Sequence, residues 1–159
     1  LDDLLPNYED VHPSTINVFY MTDNQMKEVE ELKITLPEGY SIDSVDVEKD
    51  AKRIHDNWIH STSLELTTAR LKYLPASCVR DSEGLAVAWD MSSPFGQMSN
   101  LFTIPDHRGK GLAVAVQMHL AKTFIKNGFR PFKYVETKNE RLVSASARHP
   151  YWTRWENED

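Results

Sequence analysis

Cysteine is nearly absent: Cys78 is the one thiol among 159 residues. No disulfide framework can form within the chain, which points to a reducing intracellular compartment; cytoplasm and mitochondrion both fit. Cys78 itself, set in LPASCVRD, reads as a buried structural thiol. Long apolar runs are also missing. Nothing approaches the roughly 18–20 apolar residues of a membrane span, and no secretory leader pattern is present, so no membrane is expected as a partner. The chain begins at Leu rather than Met, so the lack of a leader says nothing of a parent protein. Basic residues are not in excess. Eighteen Lys and Arg stand against 24 Asp and Glu, a formal net charge of −6. Phosphate backbones reward surplus cation, so the charge argues against a general nucleic-acid binder, though not against a local basic pocket. Repeats and low-complexity tracts are absent. A metal-binding pattern is missing: of six histidines, His55, His60 and His119 fall on predicted helices at spacings unsuited to a metal pair. With no Cys/His cluster either, no metal is expected.

What is present is ordinary globular material, 40% hydrophobic with 16 aromatic residues, enough for one packed domain. Residues 1–14 read as an irregular, Pro-bearing acidic arm. Strand patterns follow at 16–22, 40–46, 76–80, 85–91, 97–104 and 132–136, with a last one near YWTRW. Helix patterns lie at 24–32, from Asp46 or Asp50 through the KDAKRIHDNWIH segment, at 63–74 and at 111–127. In the long helix Leu112, Val116, Leu120 and Phe124 recur at helical spacing, and Asn127-Gly128 closes it. Thr137 and Glu140 have the capping-box form for a final helix. Consecutive strands over 76–104 must be antiparallel, whereas the strand–helix–strand crossover at 97–136 requires a parallel pair. A mixed α/β sheet in one domain results.

Between the strand at 97–104 and the long helix lies HRGKGLA, residues 107–113. Small residues let the backbone curl so that several N–H groups converge at a positive helix end, and Arg108 and Lys110 add full charges. The chemistry suited is a phosphate or pyrophosphate. The P-loop spacing is not present. Nucleotide binding of another kind has only this basic turn in its favour.

Arg108-x-x-Gly111-x-Ala113 matches the (Q/R)xxGx(G/A) motif of the GNAT superfamily of acyl-CoA-dependent N-acyltransferases. The surroundings resemble its glycine N-acyltransferase-like branch: Val87-Ala88-Trp89-Asp90, Gly96-Gln97-Met98, Thr103-Ile104-Pro105-Asp106, Gly128-Phe129 and Asn139-Glu140. The likeness runs over roughly 39–159, leaving 1–38 as an arm or the remnant of a longer N-terminal region. It implies the GNAT fold, a mixed, mostly antiparallel sheet flanked by helices with a splayed central strand pair. It also implies acetyl-CoA or another acyl-CoA as cofactor, with CoA as product. Its pyrophosphate would sit on Arg108, Gly109, Lys110, Gly111, Leu112 and Ala113. Its pantetheine arm would pair with Phe102, Thr103 and Ile104, and Asn139 would reach it with a side-chain amide. Asn139 reads equally well as a plain helix-start residue.

Acyl transfer to an amine needs a proton acceptor and a proton donor for the leaving thiolate. The related enzymes carry a Glu as proposed base where this chain has Gln97, and an amide does not titrate. Glu136 is the first alternative, through a water relay, and Asp90 the second. Superfamily members often place an acidic Tyr where this chain has Ser146. The expectation is an N-acyltransferase that moves an acetyl or larger group onto a small amine such as an amino acid. The alternative is an acyl-CoA-binding regulatory module that has lost turnover.

Overall fold

The computed structural model describes residues 15–156. Its elements run in chain order β1 (Ile16–Tyr20), α1 (Asp23–Glu31), β2 (Ser41–Ser44), α2 (Val47–Asp56), α3 (Leu64–Tyr73), β3 (Ala76–Arg80) and β4 (Ala86–Met91). Then follow β5 (Phe102–Thr103), α4 (Leu112–Lys126), β6 (Phe132–Glu136), α5 (Glu140–Arg148) and β7 (Thr153–Arg154). Strands β2-β3-β4-β5 form one antiparallel sheet, and β6-β1-β7 a second.

Local chemistry accounts for most boundaries. Asp46 opens α2 by accepting from the Glu48 and Lys49 amides, and Ser63 opens α3 through Leu66. Asn127 ends α4, and Gly128 follows at φ 82°, where a side chain would be strained. Leu112, Val116, Leu120 and Phe124 are all buried, as their spacing predicts. Helix α4 lies over β3 and β4, and α1 packs on α4. On the other side α2 and α3 cover Cys78, Trp89 and Met91 with Ile54 and Leu71.

The sheets meet at one point. Met98 bridges Lys133 in parallel, its N–H on the Phe132 carbonyl at 2.9 Å. Beyond it β5 pairs only with β4 and β6 only with β1, so a gap opens between them. The mixed, mostly antiparallel sheet with a splayed central pair is therefore present. The expected continuous strand over 97–104 is shorter than predicted. Ser99 turns its N–H to Met91, and only Phe102–Thr103 pair as strand.

Two other expectations change. The N-terminal region does not stop at residue 38: β1 is the middle strand of its sheet, with Phe19 and Met21 in the core beside Met98, Val135 and Trp152. The irregular arm read over 1–14 lies outside the described residues. Helix α5 is capped by Asn139, whose side chain accepts from Leu142 N at 3.2 Å, rather than by Thr137.

Candidate acyl-CoA site

The glycine turn leaves β5 through a single 3₁₀ turn, Pro105–His107, and enters α4 at Gly111. Gly109 and Gly111 take φ 76° and 77°, left-handed geometry that L residues avoid, and space beyond each Cα is open. Gly111 is the N-cap and offers no side chain to the first amides of α4, which remain available to an anion. Arg108 is held over the Phe102 ring and donates Nε to the Thr103 carbonyl at 3.0 Å, tying the turn back to β5.

From this turn a groove of about 430 Å³ runs between Phe102, Thr103, Arg108, Gly111 and Ala113 on one side and Arg141 and Leu142 of α5 on the other. Leu101 and Leu142 also border a second cavity of about 140 Å³, which lies in the gap between β5 and β6. Asp90, Met98, Gln117 and Lys133 line this inner end. The two spaces adjoin at Leu101 and Leu142, with the glycine turn at one end and a pair of buried ionisable groups at the other.

A coenzyme A derivative fits this donor set. Thr103 Oγ1 is buried without a hydrogen-bond partner, on the one β5 residue whose backbone faces away from β4. Ile104 is otherwise engaged: its N–H donates to Val87, its carbonyl accepts from His107, and its side chain sits in the core. Lys110 is exposed beside the turn without lining the groove. Asn139 spends its side-chain oxygen on the α5 cap, while α5 supplies Arg141 and Leu142 to the wall.

The proton-handling candidates fall in different places. Gln97 is half-buried in the loop at the edge of the gap, its Oε1 accepting from Ser93 Oγ and its carbonyl from Ser93 N at 2.8 Å. Glu136 faces outward with Tyr134 and pairs with Lys138 at 2.8 Å, which holds its carboxyl below the usual range. The structure does not bring it to the inner cavity. Asp90 does reach that cavity. It is 1% exposed, and Oδ1 accepts from Met91 N while Oδ2 has no partner. Burial pushes its carboxyl up to about 7.

Sequence reading missed Lys133. It is 6% exposed, donates Nζ to Ser146 Oγ at 2.8 Å and lies 4.6 Å from the centre of the Trp152 ring. Burial lowers its ammonium to about 8. The available signal was the ambiguous alternation of FKYVE, in which either Phe132 and Tyr134 or Lys133 and Val135 could face inward.

Cys78 is buried and its thiol is pushed up to about 12 by burial, so it is an inert packing residue. His55 and His119 are engaged with Thr67 and Ser77. Among the described residues no helix is long and apolar enough to cross a membrane.

Residues 78–147 match the family model described as FR47-like protein. The glycine N-acyltransferase of Bos taurus is 27% identical over 128 residues, covering 75% of this chain and 43% of that protein. The chain thus spans less than half the length of that curated relative. An X-ray structure of a Drosophila protein superposes with a TM-score of 0.74 at 18% identity, over 88% of this chain and 47% of that one. A GCN5-related N-acetyltransferase from Sphaerobacter thermophilus gives 0.60 at 15% identity, over 87% and 48%. The splayed sheet and these superpositions give the chain the GNAT fold, with Arg108-x-x-Gly111-x-Ala113 at its strand-to-helix turn.

Proposed function

We propose that the protein is an acyl-CoA-dependent N-acyltransferase whose acceptor is a small amine bearing a carboxylate, an amino acid of glycine-like size. The observation that carries this reading is the adjacency, across shared walls at Leu101 and Leu142, of the groove at the Arg108–Ala113 turn and the cavity that holds Asp90 and Lys133. When bound, acyl-CoA supplies an acyl group already activated as a thioester. The chain's own residues do the rest. The turn amides and Arg108 hold the phosphates, and Thr103 offers its unpaired hydroxyl and the N–H that faces away from β4 to the arm.

The acceptor side is supported by a pocket of about 480 Å³ between Trp58, Leu66, Arg70, Tyr73 and Pro94. Arg70 stands between this pocket and the gap. It stacks on Trp58 at 4.8 Å and donates Nε to the Ser92 carbonyl and Nη2 to Ser99 Oγ, and Ser99 lines the inner cavity. Nη1 has no acceptor among the described residues, which suits an incoming carboxylate. Arg70→Gln is expected to raise KM for amino-acid acceptors by roughly 10–100-fold, the worth of one hydrogen bond to a charged group. KM for an uncharged amine of the same size should not change, and steady-state kinetics with matched acceptors checks this.

Free-thiol release with acetyl- and benzoyl-CoA across an amine panel tests the activity itself. CoA binding without thiol release from any pair refutes turnover and leaves the second reading, an acyl-CoA-binding regulatory module. Gln97 favours that alternative, since its amide cannot accept the amine's proton. Gln97→Glu separates the two. An enzyme that handles the proton elsewhere gains less than about tenfold, whereas a site lacking only that base gains the ~10²–10⁴ typical of an added base.

A further inference from the structure

We propose that Asp90 and Lys133 are the proton-transfer pair of this site, Asp90 taking the amine's proton and Lys133 protonating the departing thiolate. This rests on the acyl-transfer reading. Both side chains line the same cavity of about 140 Å³ beside the groove, Asp90 from β4 and Lys133 from β6, in the gap between the two sheets. Each has unused hydrogen-bonding capacity. Asp90 Oδ2 is buried without a partner, and Ser146 is the single acceptor for the three Nζ donors of Lys133 among the described residues.

The proton balance closes within the pair. The amine nitrogen forms its bond to the acyl carbon as the carbon–sulfur bond breaks. The nitrogen's surplus proton goes to the Asp90 carboxylate, and one ammonium proton of Lys133 goes to sulfur. Once product leaves, the carboxylic acid of Asp90 returns its proton to the neutral Lys133 amine through water entering the cavity, restoring both. Amine and thioester become amide and thiol with no net proton taken from solvent. Ser146, at 2.8 Å from Nζ, orients the ammonium.

Both groups are shifted toward neutrality by burial, Asp90 to about 7 and Lys133 to about 8, so proton exchange between them is nearly balanced. The other ionisable neighbours are Tyr134, which lines the same cavity, His149, after α5, whose pKa is lowered by burial and by Lys133, and His119 of α4. His119 bonds Ser77, the cross-strand neighbour of Asp90, and burial lowers its pKa too. None of them removes the charge of the pair.

The test uses the full chain and the variants Asp90→Asn and Lys133→Met. CoA binding is followed by calorimetry, the CoA thiolate by its ultraviolet absorbance across pH, and turnover by thiol release. Each variant should keep CoA binding and lose ~10²–10⁴ in kcat. The double variant should lose no more than either single one, as groups acting as a unit do. Wild-type activity should fall on the alkaline side as Lys133 deprotonates above about 8, and Lys133→Met should lose that limb. Bound CoA should ionise at lower pH than free CoA in wild type and not in Lys133→Met.

Asp90→Asn should also melt higher at pH 8. The folded carboxyl keeps its proton up to about 7 against 3.8 when unfolded, so stability falls as pH rises between them, and Asn removes that loss. A carboxylate that only braced the fold would melt lower when replaced. Failure of CoA to bind overturns the acyl-CoA reading and the pair together. Binding with a bound thiol that ionises as in free CoA, or turnover unaffected by either substitution, overturns the pair alone.

Discussion

Gly111→Val should abolish detectable CoA binding while leaving the domain folded. Gly111 holds φ 77° as the N-cap of α4, a conformation in which a β-branched residue is a true outlier. An added Cβ meets no atom within 4 Å, so the substitution does not clash with the protein itself. Its cost comes from the backbone, about 1–2 kcal/mol to hold an L residue in left-handed geometry. The turn relieves that strain by rotating, which turns the first α4 amides away from their common focus. Losing one or two hydrogen bonds to a charged phosphate, each worth ~1.5–3 kcal/mol, lowers affinity by roughly one to four orders of magnitude. Calorimetric titration measures the affinity, and a thermal melt on the same sample reports the fold. Gly109→Val, at φ 76° and equally open, should act in the same direction.

Arg80→Met should destabilise the protein by about 3–5 kcal/mol, because it strands a buried carboxylate. Arg80 Nη1 and Nη2 meet the two oxygens of Asp50 at 3.0 and 2.8 Å, and Nε meets Asp43 Oδ2 at 3.0 Å. Asp50 is 3% exposed and its Oδ2 also accepts from Asp46 N, so this one carboxylate links α2, its N-terminus and β3. A loss of that size is a large fraction of the ~5–15 kcal/mol that holds a typical domain together. Chemical denaturation of Arg80→Met, Asp50→Leu and the double variant distinguishes the causes. The double variant should recover most of the loss, since removing both charges avoids an unpaired one. Asp43 gives the same contact a pH signature. Its carboxyl is lowered by the Arg80 hydrogen bond, so its contribution is present above the ordinary carboxylate range and is lost as pH falls through the lowered value.

The parts of the fold visible in the sequence are those fixed by local chemistry. Helix α4 shows in its apolar spacing, the Asn127-Gly128 stop is conformational, and the glycine turn carries its own geometry. The missed parts depend on tertiary pairing. INVFY reads as a strand, yet nothing local says that it inserts between Phe132–Glu136 and Thr153–Arg154. The apolar run at 97–104 reads as one strand, but Met98 bridges Ser92 and also Lys133 of the second sheet while Phe102 pairs with β4 alone, and that division opens the gap.

Within the candidate site the geometry of the glycine turn was legible in the sequence and the buried Lys133 was not. Gln97 announced a missing base without locating a replacement. Lys133 stayed hidden because a lysine in an alternating strand is normally read as the solvent side. Here β1 and Trp152 cover the opposite register: Lys133 and Val135 point inward, while Tyr134 is 47% exposed. Glu136 follows Tyr134 outward by the same two-residue period.

Calorimetric titration of the protein with CoA, repeated with Thr103→Val and Gly111→Val, is the most direct measure of whether the gap between β5 and β6 is an acyl-CoA cleft. Saturable one-to-one binding, weakened modestly by loss of the Thr103 hydroxyl and severely by Gly111→Val, is the expected result. No heat with CoA, or binding indifferent to both substitutions, contradicts it.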